Sequence, residues 1–343
     1  MCPPQTTAGR PTQIDVARRA GVSQPLVSYV LGGADAPVAP ETRERVLAAI
    51  ADLGYVPDRT ARNLRRRRTT TIAGIIPDIT NPYYPAFVRG VQDVAETHGF
   101  DLITYNTDGQ GEKERAAFRS AREARVAGMI VASFHLELDD LSPLVADGIA
   151  LVVTADLGIY PIPVGIDQLF VDNAAAAAAA VGYLMDRGHT RIGMIAGEEV
   201  TPPRDGRLRG YARALRGRAI PRDAELIRHG EFTVEGGYAG AGDLLKLDRR
   251  PTALFAANDL MAMGAMLRFR EAGLRVPDDI AVVGFDDIPA ARLVHPPLTT
   301  VAQHPERIGR RAAEMVVERL AGTGPTAARR EVQPFELVVR ESA

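Results

Sequence analysis

Between residues 12 and 31 the apolar positions fall on helical spacing twice in quick succession. Ile14, Ala17 and Ala20 share one face of a first short helix, and Val22, Val27, Val30 and Leu31 give a second helix its apolar stripe. Gly21 supplies the sharp turn between them. Thr12 and Asp15 have the spacing of a capping box, Ser23 is placed to cap the second helix, and Pro25 falls in a first turn, where proline is tolerated. A third helix is predicted over 41–53, with Val46, Leu47, Ile50 and Leu53 on its apolar side and Gly54 and Pro57 ending it. Two short helices joined by a tight turn have the layout of a helix-turn-helix DNA-binding module, although a helical hairpin in an α-rich core shares it. The residues after the third helix separate the two. Residues 58–64 form a helix-capable stretch too polar to be buried, carrying one large apolar side chain, Leu64, and they run into Arg65-Arg66-Arg67-Arg68. An arginine run directly after such a head points to phosphate contacts.

From Thr71 onward short apolar runs alternate with amphipathic helices, the pattern of a parallel α/β sheet. Strands are predicted at 72–76, 102–105, 128–132, 151–154, 192–196, 253–257 and 280–285, with a last one at 335–339. The alanine run 174–180 is low in complexity, but Asn173 is placed to cap it and Leu184-Met185 continue an apolar face, so it reads as a closely packed helix. Gly236-Gly237-Tyr238-Ala239-Gly240 does not follow a clear strand and reads as helix packing, not as a dinucleotide fingerprint. The fold class is therefore a small all-α helix-turn-helix head plus an α/β core with doubly wound parallel sheets. Two such lobes place a ligand in the crevice where the carboxyl ends of their strands face each other.

Composition adds three constraints. A chain of 343 residues holds a large core and a small extra domain, and its single cysteine, Cys2, rules out an intrachain disulfide framework and fits a reducing cytoplasm. Neither a membrane-spanning run nor the apolar stretch of a signal peptide is expected, which gives a cytoplasmic location and no membrane partner. The net charge of −2 averages unlike parts: residues 1–68 carry +5 and the remainder −7. A basic head on an acidic body directs DNA to the head. Zinc spacing, a Cys–His pair, a P-loop and a nucleophile elbow are all missing from the sequence, and the six histidines form no cluster, so neither enzyme, metal nor cofactor is expected.

Residues 12–68 resemble the headpiece and hinge of the LacI/GalR family of bacterial transcription regulators. The resemblance rests on Asp15-Val16-Ala17, Ala20-Gly21-Val22-Ser23, Val27-Ser28, Val30-Leu31, 41–46, Leu53-Gly54-Tyr55, Pro57 and Ala61-Arg62-Asn63-Leu64, and it continues to the end of the chain. It implies a periplasmic-binding-protein-like (type I) core of two lobes, each discontinuous in sequence. The organisation expected is a disordered tail at 1–10, a head at 11–56, a hinge at 57–69 and an effector-binding and dimerisation domain at 70–343. Lobe one is expected at about 70–168 and 300–326, and lobe two at about 169–299 and 327–343.

The implied function is that of a homodimeric repressor on a pseudo-palindromic double-stranded operator, controlled by a small-molecule effector such as a sugar. The DNA-contacting residues implied are Thr12, Ser23, Gln24, Pro25, Ser28 and Tyr29 in the head, and Arg59, Asn63, Leu64, Arg65 and Arg66 in the hinge, with Leu64 as a minor-groove wedge. Those implied for the effector are Tyr83 and Tyr84 in an aromatic loop after the first strand, Arg207 as a clamp, Phe232 as an aromatic wall, and Asn258 and Asp286 at strand ends. Asn258 and Asp286 can equally cap the next helices in the chain, and Tyr84 can be core.

Two departures from the family pattern bear on specificity. Tyr29 stands where arginine is usual, which removes a bidentate contact to guanine, and Pro25 offers no side-chain donor, leaving Gln24 to read adenine. Thr201-Pro202-Pro203-Arg204-Asp205 replaces a more usual polar loop. An enzyme, or a solute-binding module on an inert head, are the competing readings.

Overall fold

The capping box at Thr12 forms: its hydroxyl accepts from the Asp15 amide, and the Asp15 carboxylate accepts from the Thr12 amide at 2.9 Å. It opens α1 (Gln13–Ala20), which Gly21 ends in the left-handed region at φ 66°. The turn leads into α2 (Gln24–Leu31), and α3 (Pro40–Leu53) completes the head. Arg45 of α3 fastens the turn by donating to the Ala20 carbonyl at 2.8 Å and the Gly21 carbonyl at 3.2 Å. The small core holds Val16, Ala17, Ala20, Val27, Val30, Val46, Ala49 and Tyr55. Two expected core positions are corrected: Ile14 is 56% exposed and Leu47 50% exposed, because Val16 and Ala49 take the inward positions on their helices. A small rotation of each face accounts for both.

The computed structural model describes residues 11–31, 38–56, 69–158, 163–197 and 202–343, without the side chains of 202–204; the expectations for the 1–10 tail, Arg59, Asn63, Leu64, Arg65, Arg66 and Thr201 lie outside them. The chain divides into one unit at 1–68 and another at 69–343. In the second unit the elements run β1 (Thr71–Ile76), α4 (Tyr83–Thr97), β2 (Asp101–Asn106), α5 (Gly111–Glu123), β3 (Gly128–Val131), α6 (Leu138–Ala146), β4 (Ala150–Val153), β5 (Ile166–Val171), α7 (Asn173–Asp186), β6 (Ile192–Gly197), α8 (Pro202–Gly217), β7 (Ile227–Gly230), α9 (Val234–Leu245), β8 (Ala253–Ala256), α10 (Asp259–Glu271), β9 (Ala281–Val283), β10 (Thr300–Ala302), α11 (Pro305–Ala321), β11 (Arg330–Gln333) and β12 (Glu336–Val338). A six-stranded parallel sheet, ordered β11-β5-β4-β3-β1-β2, builds one lobe, and a four-stranded parallel sheet, β7-β6-β8-β9, builds the other. Strands β10 and β12 form an antiparallel pair, Thr300 opposite Val338.

The expected lobe boundaries shift in three places; in one, Thr300–Ala302 pairs with β12 and bridges at Ala302 to Asp286, just past β9, so it lies with lobe two and not at the start of the second lobe-one segment. Strand β5 stays in the first sheet through Val171, and β11 pairs with it, Arg330 beside Gln168, so 330–333 belongs to lobe one. The cause is Asp167, fully buried on β5. Its two oxygens accept from Arg319 of α11 at 2.6 and 2.7 Å, and from the Arg329 backbone and guanidinium at 2.7–3.1 Å. Burial raises the Asp167 carboxyl, and the hydrogen bonds from the two arginines more than reverse that, holding it below the ordinary range.

The alanine-rich run is a packed helix, as expected, but its cap is Asp172, whose carboxylate accepts from the Ala174 and Ala175 amides. Asn173 is left as the first helical residue. Alanine there lets α8 come very close: a Cβ on Gly210 would lie 2.4 Å from the Ala174 carbonyl oxygen. Gly237 likewise has no room for a side chain, with the Met261 carbonyl oxygen 2.0 Å from where its Cβ would sit, which fits the packing role read for the glycine cluster.

Candidate functional site

Arg207 is brought to the strand ends of lobe two by that close approach, and it is 6% exposed. Its Nε donates to Asn173 Oδ1 at 3.0 Å, Nη1 donates to the Ala257 carbonyl just past β8, and Nη2 lies 3.6 Å from Asp286 Oδ1. The guanidinium carbon sits 3.9 Å from the centre of the Phe285 ring, a stacked cation–π arrangement. The Nε and Nη1 hydrogen bonds and the stacked Phe285 ring thus fix the plane of the fork, and Nη2 keeps its N–H groups for a further acceptor beside Asp286.

Asp286 follows β9 with φ at 118° and Asp287 with φ at 56°, both unusual for residues other than glycine. The surroundings hold this backbone in place. The Asp286 amide donates to the Val301 carbonyl at 2.8 Å, the Ile288 amide donates to Asp259 Oδ2 at 2.8 Å, and Asp287 pairs with Arg340. Gln303 Nε2 donates to Asp286 Oδ1 at 2.6 Å from the segment that returns the chain to lobe one. Asp259 is fully buried, and its other oxygen accepts from the Thr300 hydroxyl. Burial, then the charge of Asp286, raises its carboxyl well above the ordinary range.

Burial also pushes Asp286 up to about 6, against the opposing pull of Arg207 and the Gln303 hydrogen bond. The native carboxyl therefore takes a proton near pH 6 and the unfolded one near 3.8. Asp286 stabilises the fold fully below the unfolded value and loses that contribution as pH rises through about 6, to an extent on the order of 3 kcal/mol. Chemical denaturation of wild type and Asp286→Asn between pH 4 and 7 checks this: the wild type should lose stability relative to the variant as pH rises, and parallel curves would refute it.

Tyr83 and Tyr84 stand at the start of α4 in lobe one, half-buried and edge to face with ring centres 5.1 Å apart. Burial first, then the negative charge of Asp286, raises the Tyr83 hydroxyl, while Arg207 opposes; burial raises Tyr84 as well, followed by Tyr83 and Asp286. The tyrosines of one lobe thus feel the ion pair of the other. Phe232, after β7, lies against Phe134, after β3, with ring centres 5.9 Å apart. Asn258 is 1% exposed and its side chain is committed: Oδ1 caps α10 by accepting from the Met261 amide, and Nδ2 donates to the Phe232 carbonyl at 3.0 Å. The structure therefore makes Asn258 a support for Phe232.

Of the six expected effector residues, Tyr83 and Tyr84 open α4, Arg207 lies in α8, Phe232 and Asp286 follow β7 and β9, and Asn258 is held behind Phe232. Phe134, Asn173 and Gln303 were not found in the sequence. Asn173 looked like a cap beside an alanine run, Gln303 sits seventeen residues from its partner, and Phe134 follows a strand with no distinguishing spacing.

In the head, Thr12, Ser23, Pro25 and Tyr29 are exposed, while Gln24 and Ser28 are half-buried. Tyr29 is 61% exposed on α2, and Gln24 Nε2 reaches Gln13 Oε1 at 3.5 Å, a long contact that steadies the start of α2 against α1.

Residues 12–58 match the family described as bacterial regulatory proteins, lacI family, and residues 181–343 match the periplasmic binding protein-like domain. The chain is 35% identical over 338 residues to the HTH-type transcriptional repressor CytR of Escherichia coli strain K12, covering 96% of both chains. The chain belongs to the LacI family. Another relative, the repressor PurR of Photobacterium profundum, is 35% identical over 328 residues, covering 96% of this chain and 97% of that one. A solved Lac repressor dimer bound to operator and the anti-inducer ONPF is 28% identical, with a TM-score of 0.86 over 97% of this chain and 99% of the other. The regulator CelR in complex with cellobiose is 34% identical, with a TM-score of 0.72 over 97% and 100%. Like these LacI-family relatives, the protein is a DNA-binding transcription regulator with a two-lobed core. Among its described residues no helix is long and apolar enough to cross a membrane, and no group of three or more His, Cys, Asp or Glu side chains is placed to hold a metal.

Proposed function

We propose that this LacI-family regulator represses transcription as a homodimer on a two-fold operator, and that a small hydroxylated effector, a sugar or a related metabolite, binds between Arg207 and Asp286 of lobe two and Tyr83 and Tyr84 of lobe one. The observation that carries this reading is the buried Arg207–Asp286 pair at the strand ends. A fixed guanidinium edge beside a carboxylate suits adjacent hydroxyls, and aromatic side chains suit the apolar face of a ring. The operator complex of the Lac repressor and the cellobiose complex of CelR support the same division of labour. Closure of the lobes on the effector changes how two heads are presented to two half-sites. The protein acts in the cytoplasm without catalysis, a reading its regulator relatives support. A thermal-shift panel of sugars and related metabolites, followed by operator titration with each hit, tests the reading. A hit that stabilises the protein but leaves operator affinity unchanged would refute effector control.

On the DNA side, the contacting set comprises Thr12, Ser23, Gln24, Pro25, Ser28 and Tyr29 of the head together with Arg59, Asn63, Leu64, Arg65 and Arg66 of the hinge sequence. Gln24 is the one residue at the start of α2 with a bidentate amide. Gln24→Ala should relax base preference at one position per half-site, at a cost of about 1–3 kcal/mol. Selection from a randomised operator library should show that relaxation, and an unchanged preference would mean that Gln24 reads no base.

A further inference from the structure

The ring contact between Phe134 and Phe232 joins the two lobes, and both rings stand on loops fastened from beneath. In lobe one, Glu114 lies in the first turn of α5 and is 1% exposed. Its carboxylate accepts from three consecutive residues after β3: the Ser133 hydroxyl, the Phe134 amide at 2.8 Å and the His135 amide at 3.0 Å. His135 Nε2 lies 2.9 Å from the Gly109 carbonyl, and a Cβ on Gly109 would be 3.0 Å from the Phe134 ring, so the ring rests directly on glycine backbone. In lobe two, Asn258 holds the Phe232 carbonyl, and the preceding residue, Ala257, supplies the carbonyl that anchors Arg207. The ring contact therefore borders the ion pair along one strand end.

We propose that Phe134 is a cleft residue which, through Phe232, holds the two lobes together, and that Glu114 is its positioning residue. A buried carboxylate with three donors from one loop is a costly way to shape a surface turn, and what it fixes is the direction of the Phe134 ring. An aromatic pair shifts a two-state equilibrium by about threefold to tenfold, enough to bias the lobes toward closure without locking them. An effector that enters beside Arg207 meets this pair, so the same contact sets part of the discrimination by the cleft. That consequence rests on the cleft being the effector site, whereas the contact itself is tested with no effector present.

The test uses the full chain in a Cys2→Ser background, with spin labels on cysteines placed at Glu123 and Asp248, exposed positions in lobes one and two. Pulsed electron resonance then reads the interlobe distance distribution. Phe134→Ala should raise the ratio of open to closed molecules about threefold to tenfold, Phe232→Ala should do the same, and the double variant should go no further. Phe134→Tyr should restore the wild-type distribution. Glu114→Gln should open the lobes when Phe134 is present and have no added effect when it is alanine, a dependence that a purely structural role for Glu114 would not produce. A wild-type distribution in Phe134→Ala, or additive shifts in either double variant, would overturn the proposal. If Glu114→Gln fails to fold, the Phe134–Phe232 cycle decides alone. Loss of this contact would leave the effector reading intact, since that stands or falls on Arg207 and Asp286.

Discussion

Asp167→Ala should destabilise the core by about 3–5 kcal/mol and lower its melting temperature by about 10 °C. The carboxylate lies fully buried between Arg319 and Arg329, which are themselves only 15% and 10% exposed. Removing it strands two guanidinium groups beside each other with no partner for the edges it served. It also frees the backbone of Arg329, and with it the start of β11. The sign with pH is set by the lowered carboxyl: Asp167 contributes its full stability above the ordinary carboxylate range and loses it as pH falls through its depressed folded value. Calorimetry of the full chain, comparing wild type, Asp167→Ala and a variant with Asp167→Leu, Arg319→Met and Arg329→Met together, separates a lost pair from stranded charge. The triple variant should recover much of the loss. A single variant that melts within about 2 °C of wild type would show that the arginines find other partners and that the pair does not hold the edge of the sheet, against the about 10 °C expected.

Arg207→Ala should abolish the effector response while leaving effector-free operator binding near wild type. The guanidinium is held by Asn173, Ala257, Phe285 and Asp286 before any ligand arrives, so no side-chain ordering is left to oppose binding. Its loss removes a charged donor from a buried ligand group and leaves Asp286 without its cation, which costs about 2–4 kcal/mol in effector affinity, a factor of roughly thirty or more. Arg207→Lys keeps the charge but not the planar fork, and should fall between the two. Operator titration in the presence of any sugar or related metabolite that stabilises the wild type reads the effect directly. A full response in Arg207→Ala would move the effector away from this pair.

The sequence showed the helix-turn-helix head through its spacing, because a module of this size leaves each apolar position one role. Even there Ile14 and Leu47 were misplaced, since alanine and valine neighbours compete for the same inward position and only packing decides between them. The family pattern singled out Arg207 and Asp286, which the structure places side by side in the interior. It did not point to their partners: Asn173 and Gln303 are polar residues of ordinary spacing, and their importance comes from the close helix packing at Gly210, which leaves no room for a Cβ, and from the return of the chain between lobes. Asp167 was invisible for the opposite reason. It sits inside a strand whose other residues are apolar or amide, and its partners are 152 and 162 residues away.

That separation has a consequence for synthesis. The four strands of the second lobe lie together in sequence, from Ile192 to Val283, whereas the six-stranded sheet of the first is completed by residues 330–333. As the chain leaves the ribosome, the earlier lobe waits with an open sheet edge and Asp167 without its two arginines, while the later lobe has the four strands of its parallel sheet but not yet the β10–β12 pair. Contacts so distant in sequence close slowly. Both lobes are thus closed by the last residues made: residues 330–333 complete the first sheet, and Ser342 then bonds Val282 of β9 in the second.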